Sequence, residues 1–166
     1  MKIWKRSFIL ILAVLLLTGM LPQIPANAKG SVSCKSLCSA ALKEAEGAEH
    51  LKYQSANAYD FGALSVSAKK KVENISYVCD AKEVYSLCVM QAENVSGAKS
   101  LKQQLEKYIK NNKKSSYLSD YSSEEQKVFQ YAVCGRKGSY VWYIAMSPKK
   151  ASNTKGQKAI QRMLKK

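Results

Sequence analysis

The sequence predicts an α+β fold, a small antiparallel sheet of about three strands covered by helices and preceded by a helical N-terminal region. Three observations lead there. Tyr140, Trp142, Ile144 and Met146 alternate with Val141, Tyr143, Ala145 and Ser147, the period of a strand that covers a core with one face while the other stays half exposed. Residues 83–92, EVYSLCVMQA, form a second strand, apolar enough to want a neighbour on each side near the sheet centre. Between the two, Leu101, Leu105, Tyr108 and Ile109 stripe one face of a helix whose other positions carry Lys102, Gln103, Glu106, Lys107 and Lys110.

In chain order, residues 1–28 have the layout of a secretory signal peptide. Lys2, Lys5 and Arg6 precede an apolar run from Phe8 to Leu17, and Pro22, Pro25 and the small-x-small triplet Ala26-Asn27-Ala28 follow, so cleavage is expected after Ala28. The alternative is an uncleaved anchor, which the shortness of the apolar run against the roughly 20 residues of a membrane span disfavours. Cys34 does not fit a lipid-attachment cysteine, because Ser31-Val32-Ser33 stands where a leucine would be needed. Residues 29–35 read as a disordered lead-in and 36–166 as one domain.

From 36 to 58, Leu37, Ala41, Ala45 and Ala48 recur at helical spacing, weakened at Gly47. Residues 57–60 read as a break. From 61 to 76, Leu64, Ala68, Val72 and Ile75 make a second possible helical face, with Lys69-Lys70-Lys71 turned to solvent; residues 76–81, with Cys79, read as a turn or connector. In the helix striped by Leu101 and Leu105, Ser96 or Ser100 can cap the start, and Lys113 and Lys114 suit the carboxyl end of the dipole. Ser122 and Glu125 have capping-box spacing and open a short helix through Val128 and Phe129; Tyr117 and Tyr121 before it anchor a linker to the core, or stack against a ligand. Gly135-Arg136-Lys137-Gly138 reads as a hairpin connection from a short strand at 131–134 to the strand at 140–147. A last helix from about Thr154 buries Ala159, Ile160, Met163 and Leu164 and charges its remainder, a pattern that fits packing on the sheet and also a membrane surface.

The stretch VYSLCVMQAENVSGAKSLKQQLEKYIKNNKKSSYLSDYSSEEQKVFQYAVCGRKGSYVWYIAMSP resembles an uncharacterised family, a domain of unknown function, of small exported and often lipid-anchored proteins of anaerobic Firmicutes. The matching positions are Val84 to Ala92, Leu101 to Lys114, Tyr121 with Glu124 and Glu125, and Gly138 with Tyr140. These are mainly core and turn residues, and the resemblance implies a fold and an exported location without implying an activity. The five cysteines and the missing lipid-attachment signal depart from the family's form, so anchorage does not carry over.

Charge gives the functional expectation. The chain carries a formal +15, and removing the leader's three positive residues leaves 24 basic against 12 acidic residues, a net +12. Glu125 is the last acidic residue, and ten basic residues follow it. Such a field attracts polyanions. The expected function is that of a noncatalytic secreted basic protein, associated with the cell envelope, which binds anionic lipid or a cell-wall polymer through Lys110, Lys113, Lys114, Arg136, Lys137, Lys149 and Lys150. A secreted antibacterial or host-directed effector and an extracellular nucleic-acid binding protein draw on the same charge.

Chemistry-bearing motifs are few. The sequence has no glycine-rich phosphate loop, no GxSxG and no HExxH, and His50 is its one histidine. Cys34 and Cys38 are four apart without a second such pair, which argues against a structural metal site, and no cofactor is implied. Any of five cysteines would satisfy a Cys/His pair, so that pairing has no force. Export permits disulfides, and Cys88 with Cys134, expected on adjacent strands, is the expected bridge; the odd count leaves at least one thiol free, metal-bound or paired between chains.

Overall fold

The computed structural model describes residues 31–46, 48–54 and 61–165. The leader, its cleavage site, Gly47 and the break at 57–60 lie outside the described residues. Six helices and five strands are described, all within the unit Val32–Lys166. In order they are α1 (Cys34–Leu42), β1 (Lys52–Tyr53), α2 (Val66–Lys69), β2 (Val72–Cys79), β3 (Ser86–Ala92), α3 (Val95–Asn112), α4 (Ser115–Leu118), α5 (Ser123–Gln130), β4 (Val133–Lys137), β5 (Tyr140–Ala145) and α6 (Lys150–Met163).

The strands make one antiparallel sheet in the order β1-β2-β3-β5-β4. The expected α+β class holds, with five strands in place of about three. β3 lies at the centre, between β2 and β5. The two additional strands are β1, only two residues long, and β2, where the spacing of Val72 and Ile75 suggested a helix and Cys79 a connector. β2 is buried on both sides toward its end, with Tyr77 and Cys79 facing one core and Val78 the other, and this removes the apolar-polar alternation that marks a half-buried strand.

Helices cover both faces, a correction to the expectation that one face of the final strand stays half exposed. Val141, Tyr143 and Ala145 join Cys88, Met90 and Tyr77 under α3 and α5, with Leu101, Leu105, Val128 and Phe129 packed on them. Trp142, Ile144 and Met146 join Val78, Leu87 and Val89 under α1 and α6, with Leu37, Cys38, Ala41 and Ile160. Leu101, Leu105, Trp142 and Ile144 are fully buried. On the α3 face, Phe61 and Tyr108 each stand 5.7 Å from the Tyr143 ring, and Tyr121 packs 4.9 Å from Phe129, so Tyr121 anchors the linker to the core while Tyr117, against the Phe129 edge, stays exposed.

Caps set the helix starts. Ser33 accepts from the Ser36 N–H at α1, and Ser122 and Glu125 exchange both capping-box bonds at α5. Asn94, not Ser96 or Ser100, caps α3 by accepting from Gly97 N–H at 2.8 Å. α6 begins at Lys150, before Thr154, because Asn153 is tied down inside its first turn. The Asn153 amide, fully buried, donates to Tyr131 O and Ser147 O, each at 3.0 Å, and its Oδ1 accepts from Met146 N–H at 3.2 Å.

The hairpin is shifted relative to its expected place. Gly135, Arg136 and Lys137 belong to β4, and only Gly138 and Ser139 form the turn, with Gly138 at φ +58°. This register overturns the Cys88–Cys134 bridge. Tyr143 is the partner of Cys88 across β3–β5 and of Cys134 across β4–β5, so β5 separates the two cysteines. Two strand spacings make about 10 Å, whereas a disulfide needs Cα atoms within about 7 Å. All five cysteines are free thiols, four buried and Cys134 half-buried.

Candidate functional site

The long amphipathic pattern of α3 places it along β4, and charges collect where the two meet. Lys99, Lys102, Gln103 and Glu106 from α3 and Arg136 from β4 line an open groove of about 360 Å³. Lys102 pairs with Glu106 one turn on, while Lys99 has no ion pair among the described residues. The Arg136 guanidinium donates to Gly138 O at 2.8 Å, which steadies it beside the hairpin turn. Lys110 in the last turn of α3, its C-cap Lys113 and the following Lys114 are exposed. Lys102 and Lys113 both act on the Cys134 thiol, which burial pushes up, followed in weight by the Glu106 carboxylate.

Of the residues expected to bind a polyanion, the structure therefore groups Arg136 with the α3 flank, while Lys137, the next residue of β4, turns to the opposite face with Val133 and Tyr140. Lys149 and Lys150 begin α6, on the opposite face of the sheet. Lys149 is offset locally: its Nζ lies 2.8 Å from Glu46, which holds Glu46 below the usual carboxylate range and raises Lys149. Lys99 and Lys102 were missing from the expected set. Their signal was present, since Lys99, Lys102, Lys110 and Lys113 share one flank of a 3.6-residue helix, but which flank meets β4 is a long-range fact.

A second cleft, of about 640 Å³, lies beside the β2–β3 loop and brings His50 and Cys79 together with Asp80, Lys82, Tyr85 and Glu125. His50, expected in a helix without a partner, sits outside α1 and meets the Tyr85 ring edge-on at 5.1 Å. Asp80 Oδ1 accepts from Tyr85 N–H at 2.9 Å, and Lys82 pairs with Glu125 at 3.3 Å. Lys82 and Glu125 thus offset each other and Asp80 holds the loop, while Lys52 in the same lining has no ion pair among the described residues. Burial pushes the Cys79 thiol up, opposite to the shift an activated nucleophile needs. Among the described residues no group of three His, Cys, Asp or Glu side chains is arranged to hold a metal ion.

Cys34 and Cys38, one turn apart on α1, hang over β2. Their thiols donate to Asn74 O at 3.7 Å and Ser76 O at 3.3 Å. Burial pushes Cys34 up to about 11 and Cys38 up to about 12. They pack as small apolar groups with a weak donor, not as a redox pair.

Comparison of the chain with protein-family models, with curated proteins and with solved structures finds no match.

Proposed function

We propose that this chain is a noncatalytic exported basic protein that binds an anionic component of the cell envelope, anionic lipid or a cell-wall polymer, and that the α3–β4 groove is its principal contact. The observation that carries the reading is the convergence on one open groove of Lys99 and Arg136, neither ion-paired among the described residues, beside Lys102 with its partner Glu106, with exposed Lys110, Lys113 and Lys114 at and just beyond the end of the same helix. Attraction at such a surface is long-range and screened, with a Debye length of about 10 Å at 0.1 M salt and about 3 Å at 1 M. Among the described residues no aromatic side chain lines the groove to stack bases, which favours lipid or wall polymer over single-stranded nucleic acid. The test is co-sedimentation of the chain lacking its leader with vesicles containing phosphatidylglycerol, with wall material and with duplex DNA, from 0.05 to 1 M salt. Binding to vesicles or wall that falls steeply with salt is expected. Binding unchanged at 1 M salt, or confined to DNA, overturns the reading.

A further inference from the structure

Among the described residues the outer edge of β4 is open: β4 ends the strand order and pairs with β5 alone. Two residues, Gly138 and Ser139, separate Lys137 from Tyr140, and a two-residue hairpin closes on a pair that exchanges both backbone hydrogen bonds. Antiparallel alternation makes Gly135 with Trp142, and Val133 with Ile144, the next bonded pairs. The far side of β5 agrees, because Ala92 N–H donates to Ser139 O at 2.9 Å and so directs the odd-numbered residues of that strand toward β3. Cys134 and Arg136 consequently turn their N–H and C=O groups away from β5, and among the described residues no hydrogen-bond partner meets these four groups.

Edges of this kind are templates for another strand, and charge selects which strand they accept. Two copies of this chain joined through β4 would crowd two Arg136 side chains, with Lys99 and Lys102 beside each, on one face of the joined sheet and two Lys137 side chains on the other. The same cations complement carboxylates. We infer that the β4 edge takes up an extended acidic polypeptide segment as a sixth strand, its acidic side chains falling at every second position over the groove of Lys99, Lys102 and Arg136. The intervening side chains fall on the other face, beside half-buried Val133 and beside Gly135, which calls for small or β-branched residues there. This rests on the groove being the anion-attracting surface proposed above, and it adds to lipid or wall polymer a second ligand of that surface, a protein segment with alternating acidic and β-branched residues.

The experiment compares two synthetic peptides of equal charge, an alternating Glu/Val octapeptide and its counterpart N-methylated at every second backbone nitrogen on the edge-facing side, by calorimetry at low salt with the intact leaderless protein. Strand addition predicts binding of the first, at least tenfold weaker binding of the second, and slowed amide exchange at Cys134 and Arg136 with the first peptide alone. Equal binding of both peptides overturns strand addition and leaves the electrostatic reading standing. Binding of phosphatidylglycerol vesicles without either peptide also overturns it. Binding of neither vesicles, wall material nor peptides removes both. Sedimentation showing a dimer that loses its amide protection at Cys134 and Arg136 on dilution assigns the edge to a second copy and likewise overturns the inference.

Discussion

Trp142 lies flat over the place where a side chain on Gly135 would stand. The two are register partners across β4–β5, and a Cβ built on Gly135 falls 2.6 Å from the indole Cε2. The ring is fully buried, and its Nε1 reaches Gln157 of α6 at 3.5 Å, so it has nowhere to yield. Gly135→Ala is expected to cost ~1–3 kcal/mol by overpacking and to lower Tm by on the order of 5 °C. In a Trp142→Leu background the same substitution should cost less, because the atoms its Cβ meets are gone. Equal costs in the two backgrounds, read by thermal denaturation, would show that the glycine serves some other need.

Asn153 satisfies three backbone groups with one side chain: two carbonyls, on the α5–β4 connection and after β5, and the Met146 N–H. Asn153→Ala leaves the buried Met146 N–H and Ser147 O and the part-buried Tyr131 O without this partner, for a cost of ~2–4 kcal/mol. Asn153→Asp should be worse at neutral pH, since it replaces the amide donor with an acceptor facing two carbonyl oxygens. Chemical denaturation decides this; an Asp variant more stable than the Ala variant at pH 7 counts against the hydrogen-bond assignment.

Thiol accessibility separates Cys134 from the rest. Cys134 is half-buried on an edge strand, whereas Cys34, Cys38, Cys79 and Cys88 are buried. A maleimide reagent at pH 7.5 is expected to modify one thiol of the native protein, Cys134, and the other four only after unfolding. Nonreducing peptide mapping of the refolded chain should find no Cys88–Cys134 peptide. Slow, uniform labelling of all five would mean that β4 is no more accessible than the core.

Alkaline stability follows from the same burial. Desolvation raises the folded-state Cys34 to about 11 and Cys38 to about 12, with Cys88, Tyr77 and Tyr143 shifted in the same direction by burial. An unfolded thiol titrates near 8.5. Above that pH the unfolded chain releases protons that the folded chain keeps, so the unfolded state binds fewer protons and stability falls as pH rises. The contribution is complete below about pH 8.5 and is lost on the way to the folded values. Tm should decline between pH 8.5 and 10.5, and Cys38→Ala should flatten the decline; a slope unaffected by that substitution would trace it to tyrosines alone.

The parts of the fold that could be read from residues were those with local causes. The Ser122–Glu125 box, the α3 stripe and the strand at Tyr140 each depend on neighbours within a few positions. β2 was hidden because both of its faces are buried where Tyr77, Val78 and Cys79 pass between two helical layers, and because Leu64, Ala68, Val72 and Ile75 happen to fall at helical spacing. The Cys88–Cys134 pairing failed for a topological reason, since β5 inserts between strands that contact order alone could not separate. At the groove, Arg136 was legible as part of the acid-free basic end, but Lys99 and Lys102 depend on which flank of α3 lies along β4.

Unequal contributions of the basic residues are the sharpest consequence for binding. Lys99 and Arg136 face the groove without an ion-pair partner among the described residues, whereas Glu46 offsets Lys149 on the other side of the sheet. Lys99→Gln and Arg136→Gln are each expected to weaken vesicle binding at 0.1 M salt by about fivefold, the usual worth of a cation at an anionic surface. Lys149→Gln removes the same formal charge and should change affinity little, because it also frees Glu46 only at a distance from the groove. Each groove variant should in addition shallow the salt dependence, which Lys149→Gln should leave steep. If the three substitutions weaken binding alike, net charge and not the α3–β4 groove governs the interaction, and the site must be given up even though the attraction remains.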